Sequence, residues 1–494
     1  MGAGIIHSTQ RFYCSTSSTS ETTTVAAAEN KPPFHLCIIG SGPAGLYTAN
    51  RVYKKLPDAN ITILEKLPVP YGLIRYGIAP DHQNEKKVKN TLEKTITDHP
   101  SNCRFVGNVN IEKDITFDDI QSKFHAIVLA CGIEGEKKLG VPGEQSNHIY
   151  SARDFVSWLN GHPDYQKKEF LLQNEDVVIV GQGNVALDVA RMLLKPTDEL
   201  SSTDITSPAL EKIANSKVKN INIVGRRGPA QVAFTTKEVR EILKLPNINA
   251  YVNDPSTLKF TEDELNKMDR AQRKIVDLFI NHLKPVSEKK DEEGKKNLIF
   301  HFLRSPTEFN NNSVDNNVSS IMLGRNKLVD DGKGSVKAES IKGDSEQLKC
   351  GTVFRSIGYT GTKFQQVPFD FKKVCIPNRH GKVLHEDDKQ GVIKGLYVSG
   401  WIKSGPTGTI VNVSMDTEET AQSIKEDYDN NLYNHKVDGY QGIIDILHQK
   451  QHSLITFDDW KKIEQEEFKR GKEKGKIIEK IIVFDELKNI IKDD

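Results

Sequence analysis

Two glycine-rich segments are where this chain's residue types first imply chemistry. Gly40-Ser-Gly42-Pro-Ala-Gly45 follows the apolar run Leu36-Cys-Ile-Ile39, and Gly181-Gln-Gly183-Asn-Val-Ala186 follows Val177-Val-Ile-Val180. A phosphate needs backbone N–H donors that no side chain crowds, and the start of a helix offers them. Gly40 permits the tight turn, Gly42 clears the face toward the phosphates, and Gly45 lets helix close on strand. Ala186 takes the third place in the second segment, a variant that the fingerprint tolerates. A lone glycine turn says little. Here each turn leaves a strand and opens a helix, so both read as dinucleotide cradles.

The strand that follows each cradle ends differently. After the first, Ile61-Thr-Ile-Leu64 ends on Glu65, whose carboxylate suits a ribose 2′-hydroxyl. The competing reading of Glu65 is a solvated strand-end acid. After the second, Ile221-Asn-Ile-Val224 runs into Gly225-Arg226-Arg227. Paired guanidiniums suit a 2′-phosphate, which a carboxylate would repel; the competing reading is a pair of solvated surface arginines. One acid-tipped and one arginine-tipped site make FAD plus NADPH the economical pairing. The nicotinamide carries hydride, and a flavin can release electrons singly.

Such sites need parallel sheets, and the twice-repeated strand, glycine turn, helix and strand predicts two α/β nucleotide-binding domains. Further buried strands are expected at Ala126–Gly132, Thr352–Gly358 and Leu396–Gly400. Residues 284–297 and 310–318 read as polar surface loops, and the last 60 or so residues as charged helix. The 494 residues suit two to four domains at ~150 residues each, or two large ones. Lys+Arg 68 against Asp+Glu 67 gives a net charge of +1, so no global basic field for nucleic acid exists. No window reaches the ~18 apolar residues of a membrane span. The six cysteines form no CxxC or metal-ligand spacing, which argues against thiol redox chemistry, a resident iron–sulfur cluster and a metal site. The electron acceptor is therefore external. Met1–Ser20 has no acidic residue, carries Arg11 and runs through Ser/Thr, as an organelle transit peptide does. A disordered tail is the alternative for residues 1–30.

Longer motifs carry a resemblance. Tyr71-Gly-Leu-Ile-Arg-Tyr-Gly-Ile-Ala-Pro-Asp-His82, Gly181-Gln-Gly-Asn-Val-Ala-Leu-Asp-Val-Ala-Arg191, Gly225-Arg-Arg-Gly-Pro229 and Gly400-Trp-Ile-Lys-Ser-Gly-Pro-Thr-Gly-Thr-Ile410 resemble the adrenodoxin reductase family, in family order, from about residue 34 to the C-terminus. The resemblance implies a glutathione-reductase-like α/β fold with two Rossmann-like domains, the NADP domain inserted in the FAD domain. Its expected boundaries are 31–134 and 366–494 for FAD and 135–365 for NADP. It implies FAD contacts at Ala44, Glu65, Leu73 and Val109, with Trp401 and Gly408-Thr409-Ile410 returning over the flavin. Gln182, Gly183, Asn184, Val185, Arg226, Arg227 and Glu238 would meet NADP(H), and Gly408 would also touch the nicotinamide. His82 and Asp188 would approach the flavin as a proton relay; a loop histidine satisfied by backbone and a plain helical aspartate are the alternative.

The same resemblance implies an NADPH-dependent reductase of a [2Fe–2S] ferredoxin, in the mitochondrial matrix or peripheral at the inner membrane. That carrier would serve P450 hydroxylation or iron–sulfur assembly. Small ferredoxins of this system are acidic. Two basic stripes, Lys237/Arg240/Lys244 and Lys267/Arg270/Lys274 with Arg273, have helical spacing and stand out on a near-neutral chain. Arg240, Arg270 and Arg273 are the expected ferredoxin contacts. The rivals are a flavin monooxygenase, although no F-x-G-x-x-x-H motif is present, and a non-enzymatic nucleotide sensor.

Overall fold

The structure, a computed structural model, describes residues 32–290, 292–330, 332, 336–361, 363–364, 366–387, 390–406 and 410–492. The reading of residues 1–30 as a transit peptide falls outside these.

The first sheet starts from β1 (His35–Ile39), which Pro43 at the first turn of α1 (Pro43–Lys55) follows directly. The chain continues through β2 (Asn60–Leu64), a short α2 (Leu73–Tyr76), β3 (Cys103–Gly107) and β4 (Ala126–Leu129). Their unbroken apolar runs suit strands covered on both faces, and β1 pairs in parallel with β2 and β4.

A second sheet then begins: β5 (Ile149–Ser151), β6 (Asp176–Val180), α3 (Asn184–Leu194), β7 (Asn220–Gly225), α4 (Thr236–Leu243), β8 (Ile248–Val252), α5 (Glu262–Lys267), α6 (Arg270–His282), β9 (Lys284–Pro285) and β10 (Lys296–Phe302). The chain leaves it for three long antiparallel strands, β11 (Arg304–Asn311), β12 (Val318–Asp330) and β13 (Val336–Lys349), and rejoins through β14 (Thr352–Arg355). The seven strands run β9-β8-β10-β7-β6-β14-β5, and every pairing is parallel.

The first sheet is completed afterwards by β15 (Asn378–Arg379), β16 (Lys382–Leu384) and β17 (Val392–Val398). After α7 (Trp401–Ser404) and α8 (Ile410–Asp429) come β18 (Ile455–Thr456) and α9 (Phe457–Glu473). Its order is β15-β16-β17-β4-β1-β2-β3-β18. The return is pinned to the start: the Thr48 and Ser399 hydroxyls share a hydrogen bond at 2.8 Å. A Cβ on Gly400 would lie 2.4 Å from that of Ala44.

Two expectations change. The expected loops are partly strand: 284–285 and 296–297 lie in β9 and β10, and 310–311 and 318 in β11 and β12. Polar residues pair between these strands, as Asn310 Nδ2 does with Ser320 Oγ, so the apolar alternation that marks a strand is diluted. The stripe through Lys267, Arg270 and Lys274 is also broken. Met268 is extended, and Asp269 starts α6 with a capping box to Gln272. Lys267 therefore sits on a different helix from Arg270.

Candidate active site

The first cradle divides its glycines by task. A Cβ on Gly40 would lie 2.5 Å from the Ala130 carbonyl oxygen, and one on Gly45 1.9 Å from that of Gly40. Gly42 has nothing within 4 Å of that position, so its face is open. Glu65 is buried beside it. Its Oε2 accepts from the Ser41 N–H at 2.9 Å and hydroxyl at 2.8 Å, and its Oε1 from the Leu67 N–H at 3.0 Å. That removes the solvated-acid reading. Tyr71 donates its N–H to the Ser41 carbonyl at 3.2 Å, and Gly72 reaches Gly42 so closely that a Cβ there would lie 3.2 Å from its Cα. Leu73 is thereby set at the cradle mouth, exposed at 37%. Val109 points its side chain into the core and donates its N–H to the Glu65 carbonyl. Trp401 opens α7 beside Tyr359, and Gly400 abuts Ala44. Gly408 and Thr409 lie outside the described residues; Ile410 begins α8, and its side chain is outside them too.

The second cradle repeats the division. A Cβ on Gly181 would strike the Ser356 carbonyl oxygen at 2.0 Å, whereas Gly183 is open to 4 Å. Asn184 and the half-buried Val185 form the first turn of α3, and Asn184 Oδ1 accepts from the Thr235 N–H at 2.9 Å. The Gln182 side chain lies across Gly225, where any Cβ would overlap it. Arg226 is exposed and Arg227 half-buried just past β7. Burial, and then the charge of Arg226, hold the Arg227 pKa below its ordinary value. Among the described residues neither guanidinium has a carboxylate partner. The open faces of Gly42 and Gly183, one near a carboxylate and one near two arginines, fit FAD and NADP(H).

A charged cluster joins the two sheets' elements. Arg191, fully buried on α3, donates Nε to Asp81 at 2.6 Å, Nη2 to Asp188 at 2.7 Å and Nη1 to Glu238 at 3.0 Å; Lys195 adds Asp81 at 2.7 Å. His82 faces the same acids. Its Nε2 lies 3.1 Å from Glu241 and 3.7 Å from Glu238, and its Nδ1 3.9 Å from Asp188. His82 and Asp188 are thus brought together. Glu238, an expected NADP(H) contact, is spent here on Arg191. Burial pushes the Asp188 and Glu238 carboxyls up. Burial works against protonated His82, but the hydrogen bond to Glu241 and the surrounding carboxylates hold its pKa above the ordinary value. Asp81 resists burial through Arg191 and Lys195 and falls to about 2. Asp81, Asp188, Glu238 and Glu241 thus converge on Arg191 and His82. Arg191 escaped the sequence reading; its signal was the i,i+3 pair with Asp188.

The basic surface lies on α4 and α6, which pack together. Arg240 and Arg270 are exposed. Arg273 is half-buried and engages Asp277 one turn along at 3.1 Å.

A fold of two dinucleotide-binding sheets, one all parallel and one parallel at its centre with antiparallel edges, with one cradle acid-tipped and one arginine-tipped, defines a two-nucleotide flavoprotein oxidoreductase. Residues 34–245 match the family model described as pyridine nucleotide-disulphide oxidoreductase. The chain is 56% identical to the Dictyostelium discoideum protein named "Probable NADPH:adrenodoxin oxidoreductase, mitochondrial", over 99% of this chain and 96% of that one. It is 38% identical to the human protein named NADPH:adrenodoxin oxidoreductase, mitochondrial, over 92% and 91%. Among solved structures, Mycobacterium tuberculosis FprA in complex with NADPH superposes with a TM-score of 0.85 at 33% identity, covering 93% of this chain and 99% of FprA. The chain belongs to the NADPH:adrenodoxin oxidoreductase family.

Proposed function

We propose that this protein is an FAD-dependent oxidoreductase that takes electrons from NADPH and delivers them to a [2Fe–2S] ferredoxin. One observation carries the reading: two glycine cradles stand open in opposite electrostatic surroundings, Glu65 beside one and Arg226-Arg227 beside the other. FAD would be held by Gly40, Gly42, Ala44, Gly45, Glu65, Leu73 and Val109, with Trp401 and residues 408–410 on the return. NADP(H) would be held by Gly181–Val185, Arg226 and Arg227. When bound, FAD accepts a hydride and releases electrons one at a time.

The chain's own task is alignment and proton control. His82 and Asp188 would relay a proton, with Glu238 and Glu241 facing His82 and Arg191 keeping Asp81, Asp188 and Glu238 in place. Arg240 and Arg270, with Arg273 in a lesser part, steer an acidic ferredoxin, whose attraction salt would screen. The relatives' names support an adrenodoxin-type partner and a mitochondrial site; matrix residence with a peripheral inner-membrane association, and service to P450s or iron–sulfur assembly, complete the reading. Among the described residues no helix is long and apolar enough to cross a membrane.

The test is NADPH-dependent cytochrome c reduction by the flavin-loaded protein. Addition of a mitochondrial-type ferredoxin should raise the rate many-fold. A rate indifferent to ferredoxin sinks the proposal, and a long-lived oxygen adduct after anaerobic reduction would favour a monooxygenase.

A further inference from the structure

The backbone of the arginine pair is held from outside its own sheet. The Arg226 carbonyl accepts from Asn326 Nδ2 at 3.0 Å, and the same amide nitrogen donates to Ser305 Oγ at 2.8 Å. The Arg227 carbonyl accepts from the Leu303 N–H at 3.2 Å, and the Leu303 carbonyl from the Asn326 N–H at 2.9 Å. Leu303 joins β10 to β11 at φ +55°, a left-handed conformation that leucine rarely adopts. Asn326 is 4% exposed, and the register of β12 against β13 slips immediately before it. Gln182 of the second cradle adds a longer bond to the Arg227 carbonyl at 3.4 Å, whereas Leu303, Ser305 and Asn326 belong to the appended antiparallel sheet or its root.

Such a clasp has a physical reason. Adjacent guanidiniums repel, and a free strand-end loop would let them turn apart into water. Two cations aimed at one dianion need their backbone fixed before the ligand arrives. We propose that Asn326 is a positioning residue for NADP specificity: by anchoring the Arg226 carbonyl, it holds the Arg226-Arg227 turn in the pose that meets a ribose 2′-phosphate. The proposal rests on the NADP(H) reading of the second cradle.

Titration calorimetry of the flavin-loaded protein with 2′,5′-ADP and with 5′-AMP tests it, because neither probe requires turnover. Asn326→Leu removes the donor at similar volume. It should weaken 2′,5′-ADP about tenfold, the scale of one charge-assisted hydrogen bond, while 5′-AMP shifts by no more than about twofold. The KM for NADPH should rise with kcat retained. Ser305→Ala leaves the Asn326–Arg226 bond in place and should keep the discrimination. If the leucine variant does not fold, Asn326→Ala, which leaves room for a water, carries the same expectation. An unchanged preference in a folded Asn326 variant, equal losses for both probes, or an equal loss in Ser305→Ala overturns the role of Asn326. An unsubstituted protein with no preference for 2′,5′-ADP overturns the NADP(H) reading and this assignment together.

Discussion

The glycines of the two cradles divide into those packed against backbone and those left open, and substitution separates the two. Gly42 and Gly183 have φ of −71° and −113°, open to any residue, and a Cβ there meets nothing within 4 Å. Gly42→Ala and Gly183→Ala should therefore leave unfolding free energy within about 0.5–1 kcal/mol of the parent. The first should lose FAD on dilution, and the second should raise the NADPH Kd about tenfold or more. Gly45→Ala should fail to fold, since its Cβ would lie 1.9 Å from a carbonyl oxygen. Paired melts and titrations check this. Fully buried Arg191 is the other decisive residue. Arg191→Leu strands Asp188 and Glu238 and leaves Asp81 to Lys195 alone, and should cost about 3–5 kcal/mol in urea unfolding. A loss under about 1 kcal/mol would mean that the acids protonate or reach water without it.

Helix α4 works on two sides. Glu238 and Glu241 turn inward to Arg191 and His82, while Arg240 is exposed. Neighbouring α6 presents Arg270 at its first turn, after the break at Met268-Asp269 that the Asp269–Gln272 box enforces. Replacing Arg240 and Arg270 with Gln should slow ferredoxin reduction about tenfold at low salt and less at high salt. Ferricyanide reduction, which needs no docking, should hold. Arg273→Gln should do less, because Asp277 already occupies that guanidinium. Parallel loss of both activities would make the surface structural.

Across the whole molecule, the C-terminal segment ties the two sheets together. Lys480 reaches Asp204 at 2.8 Å and Asn160 at 3.0 Å, and Lys86 meets the same two residues. Arg75 pairs with Glu467 on α9. The acid limit of the fold is set partly by histidines. Burial holds His162 and His301 at about 4, so the folded state keeps both neutral where the unfolded chain, with its ordinary value near 6.5, binds protons. Their stability contribution is complete above about pH 6.5 and is lost as pH falls toward 4, up to about 3 kcal/mol each. His82 acts oppositely: its raised pKa adds stability on the acid side of that value. Urea midpoints should fall markedly between about pH 7 and pH 4.5, and replacing His301 with Gln should flatten the slope. A slope unchanged by that substitution would assign the loss elsewhere.

The cradles, the strand runs and the acid or arginine after each were legible in the sequence because their parts are contiguous: turn, helix start and strand end act within a few dozen residues. The break between α5 and α6 was also written locally, in the Asp269–Gln272 capping box, although the longer basic spacing hid it. Other features join residues remote in the chain. His82 and Glu241 are 159 positions apart, Arg191 and Asp81 110, Asn326 and Arg226 100. Only the sheet order and the return crossing bring these pairs within hydrogen-bond reach. No apolar alternation marks β13, because it is exposed along nearly its whole length. What each cradle could bind follows from neighbouring residues alone, since a phosphate site is built from one turn and one strand end. Which distant side chains anchor the backbone of the arginine pair and surround His82 follows from the packing of the two sheets, where hydrogen-bond reach is a matter of space and not of spacing.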